Sequence, residues 1–207
     1  MSDDHLTIYT IGHSTHTLEV FVKLLRQHAV EAIADVRSSP FSRHSPQFNR
    51  DALEHELRLH GIKYVYLGQE LGARPADPSC YDGGRVSFER LARTERFQTG
   101  LDRVLRGSEK YRIALMCAEK EPLECHRTIL VARALVERGA SVQHILADGR
   151  TEAYEPALRR LLPLVGLPNE DLFRTWEQLA DEALSRQALR IAYVNDSEAS
   201  ESLGDQP

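Results

Sequence analysis

The 207-residue sequence predicts an α/β domain: a Rossmann-like three-layer sandwich around a mostly parallel five-stranded sheet, with a C-terminal helical appendage. Three observations predict it. Five short β-rich runs alternate with stretches of helical apolar spacing, the pattern of parallel strands joined by crossover helices. Glycine and proline punctuate the joints between these runs. The chain is 42% hydrophobic and 28% charged, which gives it enough apolar material for one buried core.

Residues 6–11 alternate and are β-rich, so they form the first strand. Thr17 caps a helix over residues 18–27, where apolar side chains recur at helical spacing. Residues 30–36 form the second strand. A loop from Arg37 to Phe48 holds Pro40, Pro46 and four serines. Asn49 starts a helix that runs to about Leu59 and is stopped by Gly61. Residues 62–66 form the third strand. The long segment from Gly68 to Arg85 contains Pro75, Pro78 and a Gly83-Gly84 turn. Helix follows over about 88–105, with a break near Thr94. Residues 111–117 are the fourth strand. A helix over about 125–138 ends at Gly139, and residues 141–145 are the fifth strand. Residues 151–190 read as two further helices around the turn at Gly166 and Pro168, with Leu172, Phe173, Trp176 and Leu179 available to pack them down. The domain boundaries expected are therefore 1–150 for the α/β body, 151–192 for a helical extension on it and 193–207 for an acidic, disordered tail.

Ligands in such sheets bind beyond the carboxyl ends of the strands. The unusual polar residues of this chain fall there. Strand one runs into His13, Ser14 and His16. Strand two ends in Asp35 and Arg37, followed by Ser38, Ser39 and Arg43. Strand three ends in Tyr66, and strand four in Cys117 and Glu119. The next helix opens with Cys125, His126 and Arg127.

This constellation resembles the family known as domain of unknown function 488. The matching stretches are Thr10-Ile11-Gly12-His13-Ser14, Asp35 through Pro40 with Phe41 and Arg43, Tyr66 through Gly72, and Cys117 through Arg127. They span about residues 6–150. The resemblance implies an α/β fold and a prokaryotic intracellular protein. It brings no established reaction with it.

Each residue has a structural and a chemical reading. Cys125 near a helix start would be an activated thiol, and Cys117 a core residue or a second thiol. Arg127 in a helix's first turn opposes the dipole and calls for an anionic partner. His13 in a turn can act as acid or base, and Ser14 can donate to an oxyanion or merely cap the helix. Asp35 can hold Arg37 or act as a base. Arg37, Arg43, Ser38 and Ser39 have the composition of an anion-binding loop, and the bland alternative is a surface ion pair. Tyr66, Glu119 and His126 are further candidates for ligand contact.

Cys117, Cys125 and His126 also admit a metal, although the spacing lacks a paired Cys knuckle and neighbouring side chains rarely aim at one ion. No cofactor is expected. A thiol-redox pair is the other alternative; the spacing is not Cys-x-x-Cys. Neither a dinucleotide nor a P-loop glycine pattern is present.

Composition sets the remaining bounds. Three cysteines make no disulfide framework. No run approaches a membrane span, and the acidic start is unlike a signal peptide, so a cytoplasmic location is expected. Of 26 basic residues, 22 are Arg, which GC-rich coding explains in bulk; Arg37, Arg43 and Arg127 stand out by position. The net charge of −5 resides in the C-terminal region, because residues 166–207 carry 3 basic and 9 acidic groups. An anionic ligand on the main body is therefore compatible with the overall charge. The expected function is an enzyme of transferase or hydrolase type. Its Arg-rich site would take a phosphate-bearing ligand, a nucleotide or a nucleic-acid component, with His13, Asp35, Cys117 and Cys125 doing chemistry. A non-catalytic nucleic-acid binder and a Cys/His metal or thiol-redox protein are the alternatives. Oligomeric state is not readable.

Overall fold

A computed structural model describes residues 7–195. The start of the first strand at Leu6 and the tail beyond residue 195 lie outside the described residues. The chain runs β1 (Thr7–Gly12), α1 (Leu18–Gln27), β2 (Ala32–Asp35), α2 (Arg50–Leu59), β3 (Lys63–Tyr66), α3 (Gly68–Leu71), a hairpin of β4 (Tyr81–Asp82) and β5 (Arg85–Val86), α4 (Phe88–Arg93), α5 (Glu95–Ser108), β6 (Ile113–Cys117), a π-helical turn (Arg127–Ala132) continuing into α6 (Arg133–Glu137), β7 (Ser141–Ile145), β8 (Thr151–Ala153), α7 (Tyr154–Leu164) and α8 (Trp176–Ile191).

The central sheet has the order β3-β2-β6-β1-β7-β8, parallel throughout except for β8. It has six strands where the sequence suggested five. The addition is β8, from a segment read as helix, which pairs antiparallel with β7 through His144 and Glu152. Three residues of half-exposed edge strand carry too little apolar alternation to announce themselves.

Both faces of the sheet are covered, which is why β2 and β6 are buried along their whole length. Alternation divides the strand residues between two cores. Ile11, Ile33, Ala114, Met116 and Ile145 face α1 and α2, with Phe21, Leu25, Leu53 and Leu57. Ile8, Ala34, Leu115, Cys117 and Val142 face the other layer, with residues of α5, the π turn, α7 and α8. The C-terminal helices thus share the body's core through Leu158, Leu161, Ala183 and Leu184. Residues 193–195 lie along the hairpin: Tyr193 O accepts from the Val86 amide at 2.9 Å, and the Asn195 amide donates to Gly84 O at 2.7 Å.

Thr94 is both the end of α4 and the side-chain cap of α5, so the break expected there is a new helix start. The Gly83-Gly84 turn has φ of 53° and 77°, the left-handed pair a tight hairpin requires. No helix among the described residues is long and apolar enough to cross a membrane.

This topology fixes how the loops at the strand ends are arranged. The crossovers from β1 and β2 run over the α1/α2 face, while the chain leaving β6 passes to the opposite face. Loops therefore diverge on either side of the β6 carboxyl end, the switch point of such sheets.

Candidate functional site

Gly12, Asp35 and Cys117 finish β1, β2 and β6 at one level, with Gly12 paired to Cys117 and Asp35 to Met116. The β1 and β6 loops are then stitched together. The His13 amide donates to Cys117 O and the Ser14 amide to Ala118 O, both at 2.9 Å. Gly12 makes this approach feasible, because a Cβ there would lie 1.8 Å from the Glu119 carbonyl. Ser14 follows with a left-handed φ of 47°.

On the α1/α2 face the chain builds a buried polar network. Asp35 accepts from the Arg37 amide at 3.1 Å, the turn-forming i to i+2 bond of an Asp side chain, and this directs Arg37 back toward its own strand. Arg37 Nε and Nη2 donate to the same carboxylate at 2.9 and 2.6 Å. Tyr64 Oη donates to Asp35 Oδ2 at 2.7 Å. Arg37 Nη2 also reaches Phe48 O at 2.9 Å, and Nη1 lies 3.3 Å from His13 Nε2.

A guanidinium can only donate, so His13 Nε2 accepts and Nδ1–H donates to Ser14 O at 2.9 Å. The ring stacks on Phe48 at 4.3 Å between centroids. Burial, reinforced by the charge on Arg37, holds the His13 pKa down at about 4, so it is neutral near pH 7. Burial and the neighbouring carboxylate push the Tyr64 phenol up.

On the opposite face lies a second group. Cys117 points there from the end of β6. The chain makes a turn at Pro122–Glu124, capped by the Glu121 side chain on the Leu123 amide, and returns with Cys125 extended and His126 helical. The sulfurs of Cys117 and Cys125 stand 3.7 and 3.9 Å from His126 Nδ1. The Cys125 thiol donates to Glu119 Oε2 at 2.9 Å and accepts from the Arg127 amide at 3.4 Å. His126 Nε2–H donates to Val36 O at 3.0 Å. Cys117, Cys125, His126 and Arg127 are all buried; Glu119 is exposed.

Charges in this group are interdependent. Burial drives the Cys117 thiol well above its ordinary value, with Cys125 and Glu119 adding to it. Burial also opposes ionisation of Cys125, but the Cys117 thiol, Arg127 and His126 outweigh it and hold that thiol well below its ordinary value. Burial and the Cys125 charge raise Glu119. His126 is raised against its own burial by Cys125 and Glu119. The sulfur that favours the thiolate is thus the one in contact with the Glu119 carboxylate, the His126 ring and the Arg127 amide.

The structure brings His13, Asp35 and Arg37 into one network, and Cys117, Cys125, His126 and Glu119 into another. The arginines have separate engagements. Arg37 rests on Asp35, His13 and Phe48 O. Arg127 Nη1 and Nη2 donate to the carbonyls of Glu119 and Lys120 at 2.8 and 3.3 Å. Arg43 is exposed on its loop. Tyr66 Oη donates to Ser38 O, and Ser38 Oγ accepts from the Arg74 amide, so both hold the second loop together.

Sequence reasoning passed over Tyr64 and Phe48. Tyr64 had a signal only in its alternation with Tyr66 along the third strand; its pairing with Ile33, two residues before Asp35, is a matter of register. Phe48, inside a short turn, had none. A cavity of about 760 Å³ lies apart from both networks, between the hairpin, α4, α6 and α8.

The family model described as Domain of unknown function DUF488 matches residues 17–134, which include every residue of both networks except His13 and its neighbour Ser14. No curated protein and no solved structure matches.

Proposed function

Because the chain belongs to the family of domain of unknown function DUF488, a description that carries no reaction, we propose its activity from geometry alone. We infer an enzyme, of transferase or hydrolase type, acting on a small phosphate-bearing ligand at the carboxyl ends of β1, β2 and β6. The ligand class is a nucleotide or a nucleic-acid component. The reactive centre is the group of Cys117, Cys125, His126 and Glu119. Arg127 supplies the positive charge that holds the anion, and the network of His13, Asp35 and Arg37 forms the rigid wall behind it.

The observation that carries this reading is the state of Arg127. Its side chain is fully buried, yet among the described residues its only hydrogen-bond acceptors are two backbone carbonyls and its Nε has no partner. No carboxylate lies within ion-pair distance of it among the described residues. A buried cation without a counter-charge is costly, and an unused N–H on a guanidinium fork is a donor suited to a phosphate oxygen. Glu119, exposed and in contact with Cys125, stands where such a ligand would approach from solvent.

The test is a thermal-shift panel of inorganic phosphate, nucleoside mono-, di- and triphosphates and short oligonucleotides. A true ligand at about 100 times its Kd stabilises the chain by ~2.7 kcal/mol, an easily read shift. The Arg127→Lys variant keeps the charge but loses the fork, and its Kd for that ligand rises at least about tenfold. A panel in which nothing stabilises the wild-type chain disproves the reading. An equal response from Arg127→Lys places the anion elsewhere.

A further inference from the structure

We propose that Cys117, Cys125 and His126 together ligate one zinc-class divalent metal ion, with its fourth position open toward Glu119. The inference deepens the proposed function, since it rests on that reading of the group as the reactive centre and names what the group holds. Its test needs no substrate.

The first argument is metric. The two sulfurs and His126 Nδ1 all lie within 4.8 Å of one another, and the two S···N separations are 3.7 and 3.9 Å. Zn–S bonds of about 2.3 Å and a Zn–N bond of about 2.0–2.1 Å at tetrahedral angles require S···N edges of about 3.5 Å and an S···S edge of about 3.8 Å. Both S···N separations therefore stand a few tenths of an ångström from the edges of one tetrahedral face, and the two sulfurs are no more than 4.8 Å apart.

The second argument is orientation. A carbonyl can only accept, so the bond from His126 Nε2 to Val36 O fixes a proton on Nε2. Nδ1 is thereby the atom turned toward both sulfurs. Anchoring the far ring nitrogen on a backbone carbonyl is the usual support of a metal-bound imidazole. The Arg127 amide, 3.4 Å from Cys125 Sγ, is a donor placed for a thiolate ligand.

The third argument is charge. A divalent ion with two thiolates and a neutral imidazole sums to zero, so the ligand set is neutral once both cysteines ligate as thiolates. The positive charge of Arg127 is then left for the ligand, as the proposed function requires. Three protein ligands and one open position are the arrangement of a catalytic site, whereas a structural site is closed by a fourth. Glu119 Oε2, 2.9 Å from Cys125 Sγ, is the carboxylate in contact with this ligand set and lies on an exposed residue, so the open position is assigned to its side.

The experiment uses the full chain. Metal analysis of protein purified without added chelator is expected to find one zinc per chain. Stripped protein titrated with Co²⁺ under reducing conditions is expected to show thiolate-to-cobalt charge transfer and tetrahedral ligand-field bands, saturating at one equivalent. Cys125→Ser and His126→Ala weaken cobalt binding by ~100-fold or more. Glu119→Gln retains the ion and its charge-transfer absorption.

A wild-type chain that carries no metal and shows no charge transfer with Co²⁺ overturns the proposal, whatever happens to the variants' folding. So does a Cys117–Cys125 disulfide in protein isolated under native conditions. Cobalt binding without any response to the phosphate panel disproves the ligand class and leaves the ion. A phosphate response in a chain that binds no cobalt does the reverse.

Discussion

His144 makes the stability of this protein depend on mild acid in a way that one substitution can isolate. It sits on β7 directly beside Thr10 of β1, fully buried, with Nδ1 2.8 Å from the Thr10 hydroxyl and Nε2 unpartnered among the described residues. Burial, helped by the charges of Arg127 and Arg160, holds its pKa at about 3. The unfolded chain's histidine titrates near 6.5, so below that pH the unfolded state takes up a proton that the folded state refuses. The folded pKa is the lowered one. Its contribution is therefore complete above pH 6.5 and is lost as pH falls from 6.5 toward 3. At pH 5 the loss is about 1.4 kcal/mol per unit over 1.5 units, or ~2 kcal/mol. The assay is urea unfolding at pH 7.5 and pH 5, followed by circular dichroism, for the wild type and His144→Gln. The wild type is expected to lose ~2 kcal/mol more than the variant between the two conditions. Equal losses would refute the reasoning, as would a native His144 resonance, identified by its absence from the variant, that titrates near pH 6.5.

Other predictions concern the strand ends. Arg37→Met leaves the Asp35 carboxylate buried without its cation and costs ~3–5 kcal/mol in urea unfolding; adding Asp35→Asn recovers part of this, and a double variant no better than the single one contradicts the ion-pair account. Tyr64→Phe removes one donor from that carboxylate while leaving Arg37 in place, and lowers stability by ~1.5 kcal/mol on the same assay. Gly12→Ala drives a Cβ into the Glu119 carbonyl, with backbone on both sides of the clash. A loss of more than about 3 kcal/mol is expected, together with faster alkylation of Cys125 by iodoacetamide as the β1 and β6 loops part; wild-type stability and thiol protection in this variant would show the loops are not locked together.

Much of the architecture was legible because strands announce themselves by burial. β6 is apolar throughout, β1 alternates, and each is bounded by glycine or a polar cap. β8 escaped for the opposite reason: Thr151, Glu152 and Ala153 owe their strand conformation to β7, and nothing local demands it. The same division holds at the site. Asp35, Arg37, Cys117 and Cys125 could be singled out because they end strands or begin a helix. That Cys125 and His126 face one point could not be seen. Adjacent side chains usually diverge, but here Cys125 is extended, with φ −134° and ψ 138°, and His126 is helical, with φ −59° and ψ −25°. The change of backbone state between them swings both side chains toward Cys117. A spacing rule written on residue numbers carries no information about that change. Nor could composition show that Arg37 spends its donors on Asp35, Phe48 O and His13, because that depends on the register of β2.

The two networks are joined by residues 35–37. Asp35 and Arg37 turn their side chains to the α1/α2 face, and the carbonyl of Val36, between them, accepts the proton of His126 on the other. The Val36 amide continues the ladder by donating to Met116 O at 3.0 Å, one residue before Cys117. Three consecutive residues thus set the position of a neutral imidazole, His13, and the orientation of a second one, His126. Packing of this density does not deform smoothly. A substitution that lets Arg37 leave Asp35 frees the 35–37 segment, and with it the carbonyl that fixes His126 Nδ1 toward the two sulfurs. The buried ion pair is costly to assemble and is weak evidence for stability as such. What it secures is geometric: it pins the backbone on which the cysteine–histidine group is aligned. On the proposed reading of that group as the reactive centre, the α1/α2-face network acts as a positioning device for the opposite face without any of its side chains touching a ligand.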